Sequence, residues 1–332
     1  MKVVLLNTSS RTGGAAVAAA RLLRALRKQG VSVQMCVLHK EREEDWIETV
    51  EKGRCSHLLN RIRFYWERAV IFLHNHFNRS QLFRVSIANT GTDISRLPCV
   101  READVIHLHW INQGFLSLND IKQLAALGKP IVWTMHDMWP STGICHHARD
   151  CQSFHQMCGS CFYLDSHADK DLSTQIYQKK QQIYKKADLS FVGCSNWIAA
   201  LAKKSGLLRG KRVVDIPNPI DTKLFRPADK SKCRKDLSLP QDKRLILFGA
   251  LNVTDERKGV NYLLKALPLL KQPVELVVFG QVKSEIQELV PVPIHSLGYL
   301  SDEKKIVSLY NAVDLFVISS LDENLPNMVM EA

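Results

Sequence analysis

The chain opens with a strand, a glycine turn, a helix and a second strand, an order that leaves few folds open. Lys2 to Asn7 is a short apolar run, and Gly13-Gly14 lie in the turn after it. From about Ala15 to Gln29, Ala18, Leu22, Ala25 and Leu26 recur at helical spacing, with Arg21, Arg24, Arg27 and Lys28 on the outside. Gly30 closes that helix, and Val31 to Leu38 reads as the next strand. Two strands joined through a crossover helix pair in parallel, so the chain starts as an α/β protein built on a parallel sheet.

The same rhythm continues. Asp104 to His109, Pro130 to Met135 and Ser190 to Gly193 read as strands, and Ser117 to Leu127, ended by Gly128, as a helix. His57 to Phe77 reads as one basic, aromatic helix, with Leu58, Leu59, Ile62, Tyr65, Trp66, Ala69, Val70 and Leu73 set against Arg61, Arg63 and Arg68. That pattern suits attachment to a membrane surface. It suits equally well a helix packed on the core with its basic face in water.

Ile216-Pro217-Asn218-Pro219-Ile220 reads as a rigid connector, dividing residues 1–215 from residues 216–332. A second α/β series follows. Its strands are Arg244 to Gly249, Val274 to Gly280, a short one near Ile294, and Asp314 to Ile318; its helices are Gly259 to Leu270, Ser284 to Leu289 and Ser301 to Asn311. Glu331-Ala332 fall inside a helix starting near Asn327. Doubly wound domains usually carry roughly five or six strands, so this second domain is expected to be truncated.

Lys and Arg total 45 against 33 Asp and Glu, a net charge of +12 that favours anionic partners. The apolar run Val3 to Leu6 is too short for a secretion signal, and no transmembrane segment is expected, which places the chain in the cytoplasm. The nine cysteines are then expected as reduced thiols or metal ligands.

Five segments could carry chemistry. Ser10 to Gly14 could bring backbone N–H groups close to an anion, or be an ordinary turn. Glu323 and Glu331 flank Asn324 and Leu325 after a predicted strand, where open α/β sheets bind ligands; spacing alone equally fits solvated glutamates. Arg257 and Lys258, in Asp255 to Gly259, could clamp a diphosphate or line a polar turn. His136 stands at a strand end with Asp137 able to orient it, and His107 and His109 end the neighbouring strand. Cys145, Cys151, Cys158 and Cys161, with His146, His147 and His155 between them, are a candidate structural zinc set; free thiols or redox pairing are the alternatives. Asp169-Lys170-Asp171 reads as a helix cap.

In this order the segments resemble the retaining glycosyltransferases of family four, over nearly the whole chain. The match is carried by Gly13-Gly14, Asp104 to His109, Thr134 to Asp137, Val214 to Phe225, Leu297 to Leu300, Tyr310 to Ser320, and the pair Glu323 and Glu331. His136 to Leu164 looks like a subgroup that builds bacterial surface polysaccharides. The resemblance implies a GT-B fold, two Rossmann-like α/β/α domains facing a cleft. It implies retaining transfer of a sugar from a nucleotide-sugar donor, with no metal needed at the diphosphate, and exopolysaccharide or lipopolysaccharide synthesis as the setting.

By that resemblance Glu323 would hold the donor sugar, Glu331 the ribose, and Lys258 the leaving diphosphate, helped by N–H groups near Asn324 and Leu325. His136 would line the reaction centre, and Gly13 and Gly14 would approach phosphates or acceptor. Ala250 stands where the family usually has arginine, with Arg257 as a substitute, and Glu323 is followed by Asn-Leu-Pro rather than Gly-Phe-Gly. A glycan or polyprenyl-linked acceptor at the inner face of the cytoplasmic membrane completes the reading. The competing readings are a truncated, inactive remnant that only binds, and a zinc-containing nucleic-acid binder. The dispersed basic residues and lack of a recognition-helix module argue against nucleic acid.

Overall fold

The computed structural model describes residues 1–41, 43–252, 256–281, 289–300 and 302–332. The chain forms two compact units, Met1–Pro219 and Ile220–Ala332; the sequence reading had placed the boundary after residue 215.

The first unit carries β1 (Lys2–Ser9), α1 (Gly14–Lys28), β2 (Ser32–His39), β3 (Ile47–Thr49), α2 (Arg54–His74), α3 (Pro98–Arg101), β4 (Val105–Leu108), α4 (Leu118–Ala125), β5 (Ile131–Met135), α5 (Leu172–Lys186), β6 (Leu189–Gly193), α6 (Asn196–Lys204) and β7 (Arg212–Asp215). Its seven strands make one sheet in the order β3-β2-β1-β4-β5-β6-β7, and every pairing is parallel. Central β1 is buried on both faces from Val3 to Thr8, as expected for a strand covered on each side. Small residues let α1 lie close to it: Ala16, Ala18, Ala19 and Leu23 are buried. Strand order reverses between β1 and β4, so the loops leaving those two strands diverge and open a crevice at their C-terminal ends.

α2 is built against the usual rule. Its buried residues are Asn60, Glu67, Arg68 and Ile71, while Leu58, Leu59, Ile62, Tyr65, Trp66 and Leu73 are exposed, Trp66 at 58%. The predicted apolar stripe thus faces largely outward, while Ile71 joins the main core and Val70 packs against it. The buried charge is tolerated because the Glu67 carboxylate and both terminal nitrogens of Arg68 are hydrogen-bonded. Glu67 takes Arg68 at 2.7 Å, the Ser86 hydroxyl at 2.6 Å, and the N–H groups of Ile87 and Ala88 at 2.8 Å. Arg68 also donates to the carbonyls of Leu82 and Val85.

The second unit carries α6's successor α7 (Lys230–Asp236), then β8 (Leu245–Asn252), α8 (Val260–Ala266), β9 (Glu275–Gln281), β10 (Ile294–Ser296), α9 (Glu303–Ala312), β11 (Leu315–Phe316) and α10 (Asn327–Glu331). Its described strands form a parallel sheet in the order β10-β9-β8-β11. Alternation along β8 serves two cores: Ile246 and Phe248 pack with Val260 and Leu263, and Leu245 and Leu247 with Leu309 and Ala312. Asp314 locks the far face, accepting from Lys230, Arg234 and the Leu245 N–H, each at 2.8 Å.

Two expected elements are shorter than their hydrophobic pattern. α8 gives way to a 3-10 turn at Leu267–Leu269, where Pro268 cannot donate, and β11 keeps two residues of the expected five. The helix expected at Ser284 to Leu289 lies almost wholly outside the described residues, as do Asp255 and Ser301.

Candidate functional site

In the first unit, the ends of β4 and β5 bring three imidazoles into a stack. The rings of His107 and His109 lie 4.5 Å apart at 27°, and those of His109 and His136 5.2 Å apart at 21°. His109 Nδ1 meets His136 Nε2 at 2.9 Å, and His107 Nε2 meets Thr134 Oγ1 at 2.8 Å. Burial drives all three well below the usual imidazole range, His107 and His136 to about 4, so the stack is neutral near pH 7.

Asp137 spends its carboxylate elsewhere than the sequence reading expected. It accepts from His146 Nδ1 at 2.7 Å, the Trp110 indole at 2.9 Å and the Trp139 N–H at 2.9 Å. Burial works to raise this carboxyl, but His146 and these donors outweigh it and hold it at about 2. The His136 ring meets His109, on the neighbouring strand end, through Nε2.

Gly13 caps α1 with φ 94°, a conformation that suits glycine, and among the described residues no atom lies where its Cβ would go. The turn before it holds an unforeseen residue. Glu41 accepts from the N–H groups of Arg11 and Thr12 at 3.0 Å and from the Thr12 hydroxyl at 2.6 Å, and Ser9 donates as well. Burial tends to raise its carboxyl, yet these donors hold it below the ordinary range. No spacing in the sequence connects Glu41 to this turn; only the pairing of β1 with β2 does.

In the second unit, the turn after β8 and the loop after β11 form a single construction. The Leu321 N–H donates to the Arg257 carbonyl at 2.8 Å, and the Ser319 hydroxyl reaches the carbonyls of Lys258 and Gly259 at 3.1 and 2.8 Å. Gly259 turns the chain into α8 with φ 68°. This brings Lys258 Nζ onto the Glu323 carboxylate, with 24% and 29% of the two side chains exposed. A half-buried ion pair at the C-terminal edge of a parallel sheet offers a cation to a phosphate and a carboxylate to hydroxyl groups. Asn324 and Leu325 follow in the same loop, half-buried. Glu331 lies on α10 and accepts from the Tyr310 hydroxyl at 3.0 Å. Gly249, at the strand position before Ala250, lies so close to the Phe279 ring that a Cβ would sit 2.0 Å from it.

Cys145, Cys151, Cys158 and Cys161 line one small cavity with Ile144, Ala148, Phe154 and Phe162. Among the described residues no three Cys, His, Asp or Glu side chains are placed to hold a metal ion. All four are free. The apolar surroundings push the Cys158 thiol up to about 11 and Cys161 to about 12, and raise Cys145 further, so these groups are neutral. Asp171 caps α5, accepting from Ser173 and Thr174 N–H at 2.8 and 3.1 Å, as expected.

Two parallel α/β units, each with polar side chains at its strand ends, are the architecture of the GT-B fold. The fold matches sucrose-phosphate synthase from Thermosynechococcus elongatus with a TM-score of 0.60 and 16% identity, over 100% of this chain and 78% of that one. It matches Anabaena HepE, in complex with UDP and glucose, with a TM-score of 0.57 and 15% identity over the same shares. Residues 12–224 match the model of Glycosyltransferase Family 4, and residues 242–332 that of the Glycosyl transferases group 1. The chain belongs to glycosyltransferase family 4 and is a glycosyltransferase. It is 24% identical to the putative colanic acid biosynthesis glycosyl transferase WcaC of Escherichia coli (strain K12), over 100% of this chain and 80% of that protein.

Proposed function

We propose that the protein transfers a sugar from a nucleotide-sugar donor, with retention at the anomeric carbon, to a lipid-linked glycan in bacterial surface-polysaccharide synthesis. The observation that carries this reading is the contact of Lys258 with Glu323. Lys258 neutralises the departing diphosphate, and Glu323 holds the donor sugar through its hydroxyls. Stabilising charge as it develops on the leaving group is the largest catalytic contribution such a site can make. Arg257 and the backbone at Asn324 and Leu325 assist at the phosphates, and Glu331, steadied by Tyr310, takes the ribose. His136 lines the reaction centre, and Gly13 and Gly14 leave room for phosphate or acceptor. The UDP and glucose bound to HepE and the colanic acid role in the name of WcaC support the donor and the setting.

Incubation with UDP-, GDP- and ADP-sugars tests this reading. One donor class is expected to raise the melting temperature; a ligand at about 100 times its Kd adds about 2.7 kcal/mol. NMR of the product should show the anomeric configuration of the donor. An inverted product, or transfer from no nucleotide sugar, overturns the proposal.

The outward face of α2 supports a membrane-surface site for the acceptor. Leu59, Ile62, Tyr65, Trp66 and Leu73 are presented alongside Arg54 and Arg61, and the one acid of the helix, Glu67, is buried. Apolar insertion and attraction to anionic headgroups then act together. No helix among the described residues is long and apolar enough to cross a membrane. The protein is expected to sediment with phosphatidylglycerol vesicles, less so at high salt. Ile62→Glu with Trp66→Glu should abolish this without changing the melt. Equal binding by the double variant would remove α2 from the assignment.

A further inference from the structure

The geometry at the ends of β4 and β5 points to His109 as a positioning residue: we propose that it fixes the tautomer of His136, leaving the His136 proton on Nδ1. The catalytic importance of this rests on His136 lining the reaction centre, as proposed above.

His109 is immobilised. Its N–H donates to the Leu6 carbonyl at 2.9 Å, and its own carbonyl accepts from the Trp133 indole at 3.1 Å. Its ring lies between those of His107 and His136, and the residue is 3% exposed. One ring nitrogen, Nδ1, is committed to His136 Nε2 at 2.9 Å. The other, Nε2, is buried with no partner among the described residues.

Both rings are neutral, so each carries one proton. If the His109 proton sat on Nε2, a buried N–H would be orphaned, the rarer and costlier kind of unpaired group. With the proton on Nδ1, His109 donates to His136 Nε2 and exposes only a lone pair at its buried nitrogen. His136 Nε2 then accepts, and its proton must be on Nδ1. That is the less common tautomer of a free imidazole, so it needs a fixed donor, and His109 is held to be one. Asp137 is engaged by His146, Trp110 and Trp139, which leaves His109 as the ring's identified partner at Nε2. A neutral imidazole of fixed tautomer is then what His136 brings to the reaction centre.

The test compares His109→Asn, His109→Gln and His109→Ala in protein labelled with ¹⁵N-histidine, assigned by loss of signal in His136→Ala. Asparagine places its amide where Nδ1 lies and can still donate; glutamine places it one carbon further out. In the wild type and His109→Asn, the His136 nitrogen shifts should report Nδ1–H. In His109→Gln and His109→Ala they should move toward Nε2–H. Transfer kinetics should follow, with kcat falling about 10- to 100-fold in the Gln and Ala variants, donor KM little changed, and Asn restoring most of the rate. A wild-type His136 protonated at Nε2, or a tautomer unmoved in both Gln and Ala variants, overturns the proposal. A tautomer that moves in a protein transferring no sugar would sink the functional reading and leave the positioning role intact.

Discussion

Replacing Glu323 by alanine is expected to lower kcat about 10²- to 10³-fold, the range for removal of a group that acts on transition-state charge. Two losses combine. The donor sugar loses a carboxylate that accepts from its hydroxyls, and Lys258 loses the partner that fixes its ammonium. Glu323→Gln separates them, because the amide can still bond a hydroxyl but no longer pairs with Lys258 as an ion. An intermediate rate for Gln would show that both losses count. The fold should be nearly unaffected. The pair is partly exposed and screened by solvent, so its contribution to stability is below about 1 kcal/mol. Normal turnover by Glu323→Ala would remove the residue from the site, and so would an equal loss of rate and folding, which would make its role structural.

Gly259→Ala is expected to be the most damaging single methyl in the second unit. The added Cβ would lie 1.9 Å from the Ser319 carbonyl oxygen and 2.8 Å from its carbon, with the backbone already at φ 68°. Both colliding atoms are main chain, so no rotamer relieves the clash. A cost of about 3 kcal/mol or more follows from the combined clash and left-handed strain. Gly13→Ala is the control: its φ is 94°, but its Cβ would meet no atom of the described residues within 4 Å, so only the conformational cost of about 1 kcal/mol remains. All six tryptophans lie in the first unit. Tryptophan fluorescence therefore follows that unit alone, while calorimetry follows both. Gly259→Ala should lower the calorimetric transition of the second unit and leave the fluorescence melt in place. An unchanged calorimetric trace would show that the turn after β8 is not pinned to Ser319 in solution.

The parallel frame was legible because its signals are local. Strands β1, β2, β4 and β5 announce themselves as short apolar runs, and Ser117 caps α4 three residues before Asp120, where the sequence showed a helix start. β3 was missed because three residues carry too little periodicity to register. α6 and β7 were missed too, although Ser195 caps the first and Val213-Val214 form the second. At the sites, residue types were readable but partners were not. Lys258 and Glu323 were both singled out, yet their contact depends on Ser319 and Leu321 gripping the turn at Arg257 to Gly259, a pairing across two strand ends. Asp137 sits beside His136 in sequence and was expected to orient it, but a neighbour along the chain leaves a strand end in another direction. His109 comes to His136 across the sheet, as the register of Leu108 with Trp133 dictates. The four cysteines, close in sequence, do come to line one cavity.

The inverted helix α2 has a mechanical consequence. Glu67 is bolted to Ser86, Ile87 and Ala88; the Ser86 carbonyl receives the Trp139 indole at 2.8 Å, and the Trp139 N–H rests on Asp137, next in the chain to His136. A helix resting on its apolar side alone could slide or tip. This one is joined by buried polar contacts to the loop that carries His136. On the membrane-surface reading proposed above, that linkage sets the standoff of the loop from the surface, and the substrate's own length has to cover the span.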